Sequence, residues 1–144
     1  MKKIIPTIIA FCITILTLTA CTPEEEYDEY LSLLAGEWEQ DGSTPDNILD
    51  EMVHDYYLFR ANGSGKYIQY RSSNGKIISN KEFTFTYDGE LLTVQYTVEG
   101  DGNSYICSIK GNHMSLVTNA YIYPDGHFNS NIASIERSFT RVTP

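Results

Sequence analysis

Phe83-Thr84-Phe85-Thr86-Tyr87-Asp88-Gly89-Glu90-Leu91-Leu92-Thr93-Val94-Gln95-Tyr96-Thr97-Val98 contains two period-two runs on either side of a tight turn. Phe83, Phe85 and Tyr87 alternate with threonines, and Leu92, Val94, Tyr96 and Val98 alternate with Thr93, Gln95 and Thr97. A period of two puts the apolar members of each run on one face of a strand and leaves the other face wet. Asp88-Gly89 supplies residues that tolerate positive φ, so the two runs form a hairpin. The same punctuation recurs at Asn62-Gly63, Asn74-Gly75, Gly100 to Asn103, Gly111-Asn112 and Asp125-Gly126. Working outward, strands are expected at 36–41, 54–60, 65–71, 81–87, 91–98, 104–110, 113–118 and 132–142. Eight antiparallel strands joined mainly by tight turns predict an all-β, up-and-down meander closed into a barrel. Closure also removes the exposed edges through which strands aggregate.

Two segments break this rhythm. Within 24–35, Tyr27, Tyr30, Leu31 and Leu34 fall at helical spacing, and Gly36 ends the pattern. This predicts a short N-terminal helix. Thr44 as N-cap and Pro45 as first helical residue, followed by Ile48, Leu49, Met52 and Val53, predict a second short helix over one barrel mouth.

The chain has 144 residues, 42% of them hydrophobic, which suits one domain with a real core. Met1-Lys2-Lys3 followed by the apolar run Ile4 to Leu18 reads as an export signal over 1–20. Its loss leaves 8 basic against 19 acidic side chains, a net charge of −11. So acidic a surface repels phosphate backbones, so no nucleic-acid partner is expected. Cys12 leaves with the signal, so Cys21 and Cys107 remain. Cys107, between Ile106 and Ser108, has no basic neighbour to activate it and reads as a small core residue.

Leu18-Thr19-Ala20-Cys21 resembles the lipobox of bacterial lipoproteins. That resemblance implies cleavage before Cys21, a diacylglyceryl thioether on its sulfur and an N-acyl chain such as palmitate. The other reading is an ordinary secretory signal with an incidental cysteine. Three acyl chains, at about 0.8 kcal/mol per buried methylene, exceed the two-signal threshold for lasting attachment. Residues 21–29 would form a lipidated acidic tether, with Glu24-Glu25-Glu26, Asp28 and Glu29 well solvated. The acidic cluster also resembles the surface-export signal of Bacteroidota lipoproteins, which implies a surface-exposed outer-membrane location. The folded domain is then 30–144.

Leu34-Ala35-Gly36-Glu37-Trp38 after a short helix resembles the Gly-x-Trp signature of lipocalins, and Phe139-Thr140-Arg141 resembles the arginine that closes such barrels. Together with Asn62-Gly63-Ser64-Gly65, these motifs over 31–142 are similar to the lipocalin-like domain of small Bacteroidota lipoproteins. The resemblance implies that Gly36, Trp38 and Arg141 close the barrel. A guanidinium stacked on the indole would donate to strand-end carbonyls and tie the first strand to the last. The helix at 27–34 would plug the same end.

Arg137 shares the parity of Phe139 and Arg141. If it faces the lumen, as in fatty-acid-binding barrels, which it resembles, it needs an anionic ligand or a buried acid, because an unpaired interior guanidinium costs several kcal/mol. A bulge that turns it outward, or a position at the open rim, are the alternatives. Arg137, Tyr96 and Phe85 are the candidate ligand contacts. With 17 aromatics after Phe11 is lost, the lumen should be largely filled and hold a shallow pocket at most.

No catalytic or metal site assembles in the sequence. His54, His113 and His127 are scattered, and no nucleophile elbow is present. Gly63-Ser64-Gly65-Lys66 lacks the upstream glycine and the following Ser or Thr of a phosphate loop. Glu99 to Asn103 lacks the glycine and the closing acid of a calcium loop. The expectation is a non-enzymatic, lipid-anchored binder, without a cofactor, of a small apolar or amphipathic molecule. The alternative is a surface module for an envelope protein or glycan, using tyrosines near 56–70 or 119–125.

Overall fold

The alternating runs become long strands whose inner faces share one aromatic core. A computed structural model describes residues 29–46 and 50–142; Cys21, the signal and the acidic tether through Asp28 lie outside the described residues. Helical residues 29–34 lead into ten strands: β1 (Gly36–Gln40), β2 (Thr44–Asp46), β3 (Glu51–Phe59), β4 (Ser64–Arg71), β5 (Ile77–Tyr87), β6 (Leu91–Tyr96), β7 (Gly102–Lys110), β8 (His113–Ile122), β9 (Phe128–Asn129) and β10 (Glu136–Arg141). Eight of them close a ring in the order β1, β10, β8, β7, β6, β5, β4, β3 and back to β1, all antiparallel. β2 and β9 lie off the ring, on β3 and β8. The barrel is therefore the expected up-and-down, eight-stranded, lipocalin-like one.

The base of the barrel is the end reached by the 60–63, 88–90 and 111–112 turns. Leu31 and Leu34 of the helix are buried against Trp38, Phe59, Phe83, Phe85, Leu92, Met114 and Phe139. Edge-to-face contacts link these rings, with Phe59 and Phe85 centroids 5.1 Å apart. Gly65 makes one such contact possible: a Cβ there would lie 2.3 Å from the Phe83 ring, so the ring packs directly over the β4 backbone. Cys107 is buried in this cluster as expected, and burial pushes its thiol up to about 12.

The segment read as a helix over the mouth is instead a hairpin. Thr44 to Asp46 pair with Val53, Met52 and Glu51, and Asp50 takes a positive φ in the turn. Pro45 fits an edge strand because it has no N–H to leave unpaired. Val53 is buried and Met52 exposed, which is the alternation of a strand; the helical spacing of the apolar residues is coincidental. Ile48 and Leu49 lie outside the described residues. β1 and β2 are two pieces of one interrupted strand, since both pair along β3, with Asp41 to Ser43 between them. Gln40 repairs the gap in the ladder: its Oε1 accepts from the Asp55 backbone N–H at 2.9 Å.

Other boundaries shift as well. The strand expected at 54–60 starts at Glu51, the one at 81–87 starts at Ile77, and the one at 113–118 runs to Ile122. The last strand spans only Glu136–Arg141, while residues 130–135 form a connection.

Candidate functional site

Trp38 is fully buried and pairs in register with Arg141, so the first and last strands meet there. The Arg141 guanidinium carbon lies 4.2 Å above the indole. Its Nη2 donates to the Leu33 carbonyl at 2.7 Å and its Nη1 to the Ala35 carbonyl, while Trp38 Nε1 donates to the Leu34 carbonyl at 2.8 Å. The acceptors are thus at the end of the helix rather than at strand ends. A cation there satisfies carbonyls that have no intrahelical partner and complements the helix dipole. Gly36 is required on two counts. Its φ is +129°, and a Cβ would lie 2.6 Å from Arg141 Nη1.

The opposite end differs. There the inward parity of β3, β4 and β5 carries Asp55, Tyr67, Gln69 and Lys81 in place of hydrocarbon. Asp55 is 2% exposed. Its Oδ1 accepts from the Tyr67 hydroxyl at 2.8 Å and from Gln69 Nε2 at 3.1 Å. Its Oδ2 lies 3.6 Å from Arg137 Nη1. Arg137 therefore faces the lumen, and the acid that compensates it is Asp55, two strands away around the ring. The neighbouring Nε of Arg137 is buried and has no hydrogen-bond partner among the described residues. Lys81 Nζ sits 4.8 Å over the ring of Tyr96.

The tyrosine hydroxyls of this belt stay protonated. Burial first, and then the Asp55 charge, push Tyr67 upward; burial, Tyr105 and Asp55 push Tyr96 upward. Tyr105 is raised by burial and shares a hydrogen bond with Tyr57. The belt therefore offers O–H and N–H donors around Asp55, whose acceptor capacity is already engaged by its own barrel, while the Asp101 and Glu99 charges also act on Tyr96.

The candidate ligand residues take different places. Arg137 and Tyr96 belong to the belt, whereas Phe85 is packed in the base between Phe59 and Phe83. Asp55, Lys81 and Gln69 were not singled out from sequence, and Tyr67 was read only among the tyrosines of a surface module. Lys81 could have been, since it continues the inward parity of Phe83, Phe85 and Tyr87.

The tyrosines of 56–70 divide between the two sides of the wall. Tyr57 and Tyr67 point inward, while Tyr56 and Tyr70 bind Glu37 and Glu39 outside. Tyr121, Tyr123 and His127 form a small exposed stack at the mouth, with Tyr123 and His127 centroids 4.2 Å apart. Among the described residues no group of three or more His, Cys, Asp or Glu could hold a metal ion, and no helix is long and apolar enough to cross a membrane.

No curated protein matches the sequence. Among solved structures the chain is similar to one titled as a rhizavidin–biotin complex, at 13% identity over 76% of this chain and 93% of that one, with a TM-score of 0.35. The family model for the lipocalin-like domain matches residues 34–116, from the last helical residue through Trp38 and the central hairpin into β8. With that match over more than half its length, the chain belongs to the lipocalin-like domain family.

Proposed function

We propose that this protein is a non-enzymatic binder of a small amphipathic molecule, held to the outer membrane by lipid on Cys21 and facing outward from the cell. The observation that carries the binding reading is Arg137: an inward guanidinium with a buried, unpartnered Nε–H and only a long contact to Asp55. A buried donor left unsatisfied costs about 1–3 kcal/mol, so an acceptor arriving there stabilises the complex. The packed base leaves the mouth half of the lumen as the place for it. The lipobox-like Thr19-Ala20-Cys21 and the acidic run after it support anchoring.

Titration calorimetry against a panel of amphiphiles, with Arg137→Met as control, tests the binding reading. Binding that weakens at least tenfold in the variant supports it; no heat from any amphiphile contradicts it. Mass spectrometry of the mature N-terminus tests the anchor, with a triacylated Cys21 expected.

A second reading, a module for a protein or glycan, draws on the outer wall. There Ser108, Ser115 and Ser138 line up across three neighbouring strands and floor an open depression of about 550 Å3 flanked by Lys110, His113 and Glu136.

A further inference from the structure

Three features of the mouth combine. The first is an ammonium without an acid partner. Arg71 and Glu51, near the top of β4 and β3, pair with each other at 2.8 Å and cancel. Asp55 is matched by Arg137. Lys81 remains, with the inward parity of Phe83 and its Nζ over a buried tyrosine, and no carboxylate lies within ion-pair distance of it among the described residues. The Asp101 and Glu99 carboxylates also act on Tyr96, so the unpaired Lys81 ammonium is a local cation of the mouth.

The second feature is placement. β5 and β10 are four strands apart in an eight-stranded ring, so Lys81 and Arg137 face each other from opposite walls. Eight-stranded barrels are either filled by side chains or hold one small ligand. The third is the rim. Met52, Ile77, Val98, Tyr123, Phe128 and Ile135 are six of the eight exposed large apolar side chains of the described residues, and all lie on the strand ends, turns and connections of the mouth. The lumen therefore runs from a filled apolar base through a belt that holds Lys81 and Arg137 to an apolar rim.

We infer that the mouth takes an anionic amphiphile head first: a phosphate, sulfonate or carboxylate meets Lys81 and Arg137 in the belt, and the apolar body stays at the rim. This rests on the reading of the barrel as an amphiphile binder. The filled base excludes the opposite orientation, because Phe59, Phe83, Phe85 and Leu92 already occupy the depth a tail would need. Asp55 positions Arg137 and is not a ligand contact, since Tyr67, Gln69 and Arg137 use both its oxygens. The partner is identified by its chemistry alone: an anion on an apolar body.

Calorimetry with dodecyl phosphate below its critical micelle concentration, dodecyl maltoside and inorganic phosphate tests the inference. Dodecyl phosphate should bind at least tenfold more tightly than either of the others, and its affinity should fall with added salt. Lys81→Met should weaken it tenfold or more, Lys81→Arg should retain it, and Phe128→Ser should weaken dodecyl phosphate without affecting inorganic phosphate. Unchanged melting temperatures keep these variants interpretable. Co-sedimentation with phosphatidylglycerol vesicles that depends on Lys81 supports the same chemistry with the amphiphile drawn from a bilayer; binding of the monomer only supports a soluble one. Equal affinity for dodecyl maltoside, or no effect of Lys81→Met, overturns the head-first anion while leaving the amphiphile reading standing. Absence of binding by both dodecyl compounds overturns both.

Discussion

Four strands supply the wall at both ends of the barrel and carry opposite chemistry at the two. Toward the base they place Trp38, Phe59, Phe85 and Leu92 inward; toward the mouth, Gln40, Asp55, Lys81 and Tyr96. At the base the indole N–H and the Arg141 guanidinium are used up on helix-end carbonyls, and the Tyr87 hydroxyl on the Gly89 and Cys107 carbonyls. At the mouth the hydrogen bonds are incomplete, and a guanidinium N–H and an ammonium are left facing the lumen. Burial of apolar area is non-directional and suits a plug, whereas unsatisfied donors are directional and suit recognition. The difference between the ends separates what holds the fold from what is available to a ligand.

The largest expected effect lies at the base. Trp38→Ala removes a fully buried indole together with its stack on Arg141 and should cost about 3–5 kcal/mol in denaturant unfolding. A loss below about 1 kcal/mol would mean the base does not hold the barrel shut. Asp55→Ala comes next, at about 2–4 kcal/mol. It strands Arg137 and frees the Tyr67 and Gln69 donors, but Arg137 is 27% exposed, which tempers the penalty for an uncompensated charge. An Asp55→Ala/Arg137→Met double variant should recover part of that loss.

Alkaline pH acts on the belt through its buried tyrosines. Tyr57, Tyr67, Tyr96 and Tyr105 all have their ionisation raised in the folded state, burial being the first cause. In the unfolded chain they titrate near about 10. Stability is therefore full below about pH 10 and falls as the pH rises beyond it, because the unfolded state then releases protons that the folded state retains. Absorbance at 295 nm should show a reversible phase from exposed tyrosines and a later one that coincides with loss of the near-ultraviolet dichroism. A single phase near pH 10 with the fold intact would contradict the burial of the belt.

The base was legible in the sequence and the mouth only half so. Alternation from Phe83 to Tyr96 needs no tertiary information to assign a face, and Gly36, Trp38 and Arg141 were legible through their resemblance to the Gly-x-Trp and closing-arginine motifs of lipocalins. Arg137 could be given a parity but not a direction, because its compensating acid lies 82 positions away in sequence. Asp55 was hidden by the helical spacing of Ile48, Leu49, Met52 and Val53. With that segment read as a helix the strand began at His54, and the pattern Val53, Asp55, Tyr57, Phe59 lost its first member. The break at Asp41 to Ser43 has a local cause that sequence does show, Gly42 at a positive φ. Its repair by the Gln40 amide depends on register and is visible only in three dimensions.

The most direct measurement follows two nitrogen-bound protons at once. In 15N-resolved NMR spectra of the protein titrated with dodecyl phosphate, the Arg137 Nε–H resonance should shift and saturate while the Trp38 indole N–H stays in place. A shift of the indole with Arg137 unmoved would place the ligand at the base and contradict the division of the barrel into a structural end and a binding end.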